Sequence, residues 1–174
     1  MIAAEFCEKL RRLAPTVNEL SSQGVAHDEI EKIRSSYFFI KRESVKSNVR
    51  QQDEVLRLVQ DFDGSAVEIG MVRFHSAIED RDDGWIFGQC EADPLFLCRV
   101  SGEVKLKILG RRDPTPCAVN GAKFLDAMIV VAESLEEFSH LETEMPNLRS
   151  ARADSCANLA GGSRFSRYFV SLLG

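Results

Sequence analysis

Three histidines are candidates for a catalytic base or a metal ligand in this chain. They lie far apart along the sequence, each on a different predicted element: His27, His75 and His140. A metal site could assemble from His75 and the acids that follow it, Glu79, Asp80 and Asp82. A calcium loop, however, places its oxygen ligands at fixed positions over about twelve residues, and the segment EDRDDG lacks that spacing. We therefore predict an exposed acidic turn here and no metal site.

The cysteines offer a second kind of chemistry, because a thiolate can act as a nucleophile. They are spread through the chain with no C-x-x-C pair: Cys7, Cys90, Cys98, Cys117 and Cys156. Cys98 could pair with His75, but it lies in an apolar strand, where burial should raise the pKa of its thiol. An odd count without tight spacing also does not fit a secreted disulfide framework. We expect reduced thiols that pack as small hydrophobic side chains.

The sequence carries none of the short motifs that mark common enzyme sites. It contains no G-x-G-x-x-G loop, no Walker loop, no H-E-x-x-H pair and no nucleophile elbow. Its many carboxylates fall in predicted turns and on helix faces, where water solvates them. The sequence therefore predicts a protein that is not an enzyme, with no catalytic residue, no metal and no cofactor.

Charge is distributed unevenly along the 174 residues, whose net charge is −5. Residues 53–93 hold eleven acidic and three basic side chains, or −8, whereas residues 145–174 carry +3. An acidic surface repels a phosphate backbone and attracts basic proteins, so we expect a protein partner and no nucleic acid. One short basic run is interpreted as a solvated face: Lys41, Arg42, Lys46 and Arg50.

The acidic span is densest beside the only tryptophan, and this is the predicted partner-binding surface. Its residues are Glu79, Asp80, Asp82, Asp83 and Trp85. Charges at the rim of an interface act mainly on association rate, while a desolvated aromatic ring can contribute about 2 kcal/mol or more. Trp85 also opens a predicted strand, and tryptophan is usually well buried, so the alternative is a core residue. In that case the acids only solubilise the turn.

Apolar residues recur at helical spacing in several segments. Helices are predicted at residues 2–14, 27–37 and 51–62. The longest helical pattern, Phe124–Phe138, is ended by Pro146. Within it, Ser134 and Glu137 have the spacing of a capping box, which allows a kink or a second helix start.

From Val67 onward the apolar period becomes that of strands. Gly70 interrupts the alternation and suggests a β-bulge. Strands are predicted at residues 85–90, 95–100 and 103–108, with a hairpin turn at Ser101-Gly102 and a loop at RRDPTPC. The nearly continuous apolar run at 95–100 indicates a strand covered on both faces. Together these segments predict an α+β fold, a single domain in which helices flank an antiparallel β-sheet.

Two stretches, in this order, resemble the SUKH superfamily, which contains fungal cell-wall-assembly regulators and many bacterial immunity proteins. The first is HDEIEKIRSSY followed by DEVLRLVQDFDGSAVEIGMVRF, and the second is GWIFGQCEADPLFLCRVSGEV followed by AVNGAKFLDAMIVVAE. The most specific pieces are Asp93-Pro94-Leu95, Ser101-Gly102-Glu103 and the helix from Lys123 to Leu135. The implied organisation is a single SUKH-like domain over 1–174, with a core at about 25–145 and a C-terminal extension at 146–174.

This resemblance implies an antiparallel sheet flanked by helices and a non-enzymatic binding protein. Bacterial members of the superfamily commonly neutralise a cognate toxin by direct occlusion, so the implied partner is a basic toxin domain. The alternative is a regulatory interaction domain with an endogenous protein partner and no toxin. The superfamily motif contains no catalytic residue, so no catalytic role is carried over.

Charged residues near the N-terminus indicate a chain that is not secreted. Glu5, Glu8 and Lys9 interrupt any hydrophobic signal region. The longest apolar run, Ala127–Ala132, is far shorter than the roughly 20 residues of a membrane helix. We therefore expect a cytoplasmic protein that does not bind a membrane.

Overall fold

The computed structural model describes residues 1–43, 53–139 and 146–174, which form a six-stranded sheet, a two-stranded ribbon and packed helices. The helices are α1 (Ala3–Leu13), α2 (Val17–Ser22), α3 (His27–Ser35), α4 (Glu54–Asp61), α5 (Gly121–Ser139), α6 (Pro146–Ala160) and α7 (Ser166–Leu173). The strands are β1 (Ile40–Lys41), β2 (Phe62–Asp63), β3 (Glu68–Ile69), β4 (Val72–Arg81), β5 (Gly84–Cys90), β6 (Asp93–Cys98), β7 (Val104–Leu106) and β8 (Thr115–Ala118). This architecture confirms the predicted α+β class.

The main sheet is a meander in which each strand pairs antiparallel with the next along the chain, in the order β3-β4-β5-β6-β7-β8. One face carries Phe74, Phe87 and Leu95, which are buried together with apolar residues of the helices. The opposite face carries Ile86 and Phe96, which pair across β5 and β6 and lie outside that core. The described helices therefore pack on one face, and the other is the outer face of the sheet.

The predicted bulge at Gly70 is wrong, because Gly70 forms a hairpin turn between β3 and β4. Ile69 pairs with Val72, which leaves Gly70 and Met71 as a two-residue connection. Gly70 has φ +58°, a conformation that glycine adopts without the steric cost of a side chain. The break in register lies further along β4, where residues 75–78 bulge out of the pairing with β5.

The segment RRDPTPC, predicted as a loop, contributes to the strand β8. This strand lies at the edge of the described sheet, and its Pro116 is opposite Lys105 at an irregularity in the register. Proline is tolerated there, because an edge strand does not need a backbone N–H on both sides. The two prolines of this segment therefore led to the prediction of a loop where the structure has a strand.

The predicted kink or second helix start at Ser134 is also wrong. α5 continues unbroken through Ser134, whose hydroxyl donates to the Val130 carbonyl at 2.6 Å within the helix, so it caps no second helix. The described part of α5 ends at Ser139, before Pro146, and Pro146 is also the first residue of α6, a position where the missing N–H of proline removes no helical hydrogen bond. Pro146 therefore begins a helix.

The C-terminal helices belong to the same hydrophobic core as the sheet. α6 contributes a buried stripe of small residues, Ala153, Cys156, Ala157 and Ala160. α7 contributes larger ones, Tyr168, Phe169, Leu172 and Leu173. At the other end of the chain, Phe6 and Leu10 of α1 join this cluster. The hydrophobic core therefore extends on both sides of residues 25–145.

Asp53 joins the N-terminal ends of two helices that are distant in sequence. One carboxylate oxygen accepts the N–H of Val55 at 3.0 Å and so caps α4, while the other accepts the N–H of Gly121, at the start of α5, at 3.0 Å. Gly121 permits this approach, because a Cβ there would lie 1.9 Å from Oδ1 of Asp53. Burial raises the pKa of Asp53, although these hydrogen bonds oppose the shift.

Asp53→Asn should destabilise the protein, because an amide has one acceptor oxygen and its NH2 group would face a second N–H donor. We expect a loss of about 1–3 kcal/mol in the free energy of unfolding, and a similar loss for Asp53→Ala. Asp61→Asn, at the exposed end of the same helix, is the control and should change stability by less than about 0.5 kcal/mol. Urea denaturation measures all three, and an Asp53→Asn variant as stable as the wild type would contradict this two-helix cap.

Candidate functional site

The acidic residues predicted as a turn lie along the hairpin that β4 and β5 form, and residues 79–83 are called the acidic hairpin. Glu79 and Asp80 belong to the end of β4, and only Asp82 and Asp83 form the turn, because the pairing with β5 continues to Arg81. The prediction of a turn over all four acids is therefore wrong for the first two. All four side chains are exposed.

Three of the four carboxylates are paired within the protein. The pairs are Glu79–Arg81 at 2.9 Å, Asp80–Arg99, and Asp83–Lys107 at 3.2 Å. Among the described residues, the side chain of Asp82 has no hydrogen bond or ion pair. Exposed ion pairs contribute only about 0–1 kcal/mol each to stability, but they cancel most of the local negative charge. The acidic hairpin is therefore less negative than its sequence suggests.

Trp85 is half-buried, so it is neither a fully exposed binding residue nor a fully buried core residue. It pairs with Leu97 across β5 and β6 and packs against the hydrophobic core. The guanidinium of Arg99 lies 4.2 Å from the centre of the indole ring, which is a cation–π contact. Arg99 also donates to Asp80 and to the carbonyl of Arg81, the latter at 3.1 Å. The ring is therefore held between the core and Arg99.

Beside the acidic hairpin, the outer face forms a groove of about 770 Å³. Its floor contains Ile86 and Phe96, and Pro94 and Ile108 add to the apolar lining. Phe96 is only 3% exposed although it lies outside the main core. Gly84 makes room for its ring, because a Cβ there would lie 2.9 Å from Cδ2 of Phe96. This groove, in which Ile86 is half-buried and Leu109 is exposed, is the best candidate for a binding surface.

Charged side chains of both signs surround the groove. They are Arg81, Asp82, Asp83, Asp93, Lys107 and Arg111. Asp93 accepts the N–H of Leu109 at 3.0 Å and so holds a loop on which the Leu109 side chain is 93% exposed. Asp82 and Asp83 were predicted from the sequence as binding residues, whereas the floor of the groove was not. The one sign of it was the run Leu95–Leu97, which is apolar on both faces of a strand.

The groups considered for catalysis are not brought together. His27 is exposed, His75 lies 3.3 Å from the Gln89 side chain, and His140 is outside the described residues. Cys98 pairs with Gly84 at the start of β5, whereas Gln89 is near its end, about 15 Å away at roughly 3.3 Å per residue. No three His, Cys, Asp or Glu residues within 1–43, 53–139 and 146–174 are grouped to hold a metal ion.

The structure reverses the expectation for Cys98. Burial alone would raise the pKa of its thiol, but hydrogen bonds from the Ser101 hydroxyl and from the N–H groups of Ser101 and Val100 lower it, and the charge of Lys105 lowers it further. The expectation was wrong because Cys98 is the last residue of β6 and its sulfur contacts the following loop. All five cysteines are free, and burial raises the pKa of Cys7 to about 12.

The predicted basic run is only partly described. Lys41 is exposed, and Arg42 donates to the Ser76 carbonyl at 2.5 Å and lies 3.7 Å from Asp63. Lys46 and Arg50 lie outside the described residues. As for the membrane, no helix in the described part of the chain has both the length and the apolar character needed to cross one.

Trp85→Ala should destabilise the protein by about 2–4 kcal/mol, because it removes a large ring that packs on the core. The triple change of Asp80, Asp82 and Asp83 to asparagine should cost less than about 1–2 kcal/mol, since exposed ion pairs contribute little. Arg99→Ala, which removes the cation–π contact and keeps the ring, should cost about 0.5–1 kcal/mol. Thermal denaturation measures these differences. If the triple variant lost as much as Trp85→Ala, the carboxylates would be shown to hold the fold.

Cys98 should be the first cysteine alkylated in the native protein, because its thiol is half-exposed and the other four are buried. Its lowered pKa provides thiolate at lower pH, so the midpoint of the rate against pH should lie below that of an ordinary thiol. Ser101→Ala should move this midpoint upward, while Ser150→Ala on α6 should not. Iodoacetamide labelling with mass spectrometry gives the rates, and an unmoved midpoint in Ser101→Ala would exclude a role for the hydroxyl.

Comparison with known proteins identifies no relative of this chain. No family model matches it, and neither a curated protein nor a solved structure matches it. Membership of the SUKH superfamily therefore stays a prediction, based on the order and spacing of the segments that resemble it.

Proposed function

We propose that this protein is not an enzyme but a binding protein, and that it recognises another protein through the groove on the outer face. The observation that carries this proposal is the groove itself, where the accessible apolar residues Ile86 and Leu109 are surrounded by charged side chains. In protein interfaces, an apolar centre within a polar rim provides most of the binding energy. The groove has this composition.

The partner that we propose is a bacterial toxin with a basic surface, which this protein neutralises in the cytoplasm by covering it. The net charge of −5, with −8 in residues 53–93, would speed the encounter with a basic protein. Asp82, whose carboxylate has no internal partner among the described residues, lines the groove and can meet such a charge directly. The resemblance to SUKH immunity proteins supports the same proposal.

Where a toxin-like open reading frame lies beside the gene, its product tests this proposal. Expressed alone, it should stop the growth of its host, and coexpression of the present protein should restore growth. Biolayer interferometry should detect a complex whose association slows as salt is added, because salt screens the attraction between opposite charges. A complex without growth arrest would support the alternative of a regulatory domain. Absence of any complex would contradict the immunity-type function.

A matched pair of variants locates the binding surface. Ile86→Lys places a charge in the floor of the groove and should weaken the complex by about 2 kcal/mol or more, or about thirtyfold. Val170→Lys, at a position on α7 that is 51% exposed, is the control and should leave the affinity unchanged. Melting temperatures establish that both variants fold, and Ile86→Ala is the milder substitute if Ile86→Lys does not. Equal affinity of all these variants would place the interface elsewhere.

A further inference from the structure

The chain contains a single Asn-Gly pair, Asn120-Gly121, at the start of α5. In such a pair the backbone nitrogen of the glycine can attack the side-chain amide carbon of the asparagine, because glycine has no side chain to hinder the approach. Asn120 is exposed, so water can reach its amide, whereas Gly121 is buried. The pair is therefore a candidate for deamidation, a covalent change that needs only water.

The start of α5 depends on both residues of this pair. Asn120 caps the helix, since its Oδ1 accepts the N–H of Lys123 at 2.9 Å. Asp53 accepts the N–H of Gly121 at 3.0 Å, and a Cβ on residue 121 would lie 1.9 Å from Oδ1 of Asp53. The position after Asn120 is therefore restricted to glycine, and the reactive pair is a by-product of the two-helix cap.

The same contacts hold both of the atoms that would react. The attacking nitrogen of Gly121 must lose its proton, and it donates this proton to Asp53. A deprotonated nitrogen beside that carboxylate would bring two negative charges together, which is unfavourable. The amide of Asn120 is held by Lys123, and the carbonyl of Asn120 accepts the N–H of Phe124 at 3.0 Å. The folded structure therefore opposes the reaction at both atoms.

We propose that Asn120-Gly121 is a latent deamidation site that Asp53 keeps unreactive, and that it reacts when Asp53 withdraws from Gly121. In the reaction, the Gly121 nitrogen bonds to Cγ of Asn120, and the bond from Cγ to Nδ2 breaks. The proton of Gly121 leaves with Nδ2 as ammonia, and a cyclic imide remains. Water then opens the imide at either of its carbonyls, which gives aspartate or isoaspartate at position 120.

The two products affect the start of α5 differently. Aspartate is a good N-cap and keeps the helix start, although it adds a negative charge where Asp53 already carries one. Isoaspartate adds a carbon to the main chain before Gly121 and so moves this residue away from the position at which Asp53 holds it. Formation of isoaspartate therefore makes the loss of the two-helix cap permanent. This chemistry is independent of the binding function proposed above.

Asp53→Ser tests the inference in the full-length protein. Serine keeps an oxygen that caps α4 but lacks the second oxygen, which accepts the N–H of Gly121. During incubation in mildly alkaline buffer, below the melting temperature, peptide mass spectrometry follows the conversion of Asn120 to aspartate and isoaspartate. Asp53→Ser should deamidate about tenfold faster than the wild type, as expected for the loss of a hydrogen bond to a charged group. Asn158, which leucine follows, is the internal reference and should stay unchanged.

A matched variant separates the contact from a general loss of stability. Val59→Ala removes buried methyl groups from α4 but leaves Asp53 and Gly121 in place. It should deamidate much more slowly than Asp53→Ser at an equal loss in urea denaturation, and Leu58→Ala replaces it if its loss is smaller. A synthetic peptide of sequence AVNGAK gives the rate without the fold and should react fastest.

Three results would overturn the inference. Equal rates in the wild type and Asp53→Ser would show that the hydrogen bond offers no protection. A slower reaction in Asp53→Ser would make the carboxylate a base that promotes the attack. Equal rates in Asp53→Ser and the destabilised control would assign the reaction to general opening of the fold.

Discussion

A row of touching aromatic rings connects the layers of this protein, and the packing of its helices on the sheet depends on it. The row runs from α1 through the sheet to α5 and α7: Phe6, Phe39, Phe74, Phe87, Phe124, Tyr168 and Phe169. Neighbouring ring centres are between 5.1 and 6.5 Å apart, a range in which aromatic contacts are favourable. Because each ring fills the space beside the next, the terminal helices cannot separate from the sheet without opening the core. The outer face takes no part in this row of rings.

Elements whose apolar residues keep one period could be predicted from the sequence. The helix α5 is one example, because its apolar residues recur every three or four positions, and β7 is another, with Val104 and Leu106 buried. The helix α6 gave no such pattern, since its buried stripe consists of small residues that carry little hydrophobic character. The strand β8 was not predicted, because prolines in a segment indicate a loop more often than a strand. Both elements owe their stability to neighbours that are distant in sequence, and a local pattern does not contain that information.

The candidate site likewise contains some residues that are neighbours in sequence and others that only the fold brings together. The acidic run and Trp85 could be recognised because they are adjacent in sequence. Their counter-charges could not, because Arg99 and Lys107 reach the acidic hairpin only through the pairing of β5, β6 and β7. The floor of the groove was missed because strand residues covered on both faces are ordinarily taken for core. For Cys98, burial alone predicts a raised pKa. The hydrogen-bond donors of the following loop could not be predicted from the strand pattern, and they help to lower the pKa.

The bulge at residues 75–78 interrupts the free edge of the longest described strand. β3 pairs only with Val72 and Arg73, so most of that edge of β4 has no strand partner in the described part of the chain. At the bulge, the Ser76 carbonyl accepts the guanidinium of Arg42 and not the N–H of another strand. A flat, unpaired edge is a template to which strands of other molecules can add, whereas an irregular edge is a poor one. Within the described residues, this irregularity makes the edge of β4 a poorer template for the addition of a strand from another molecule.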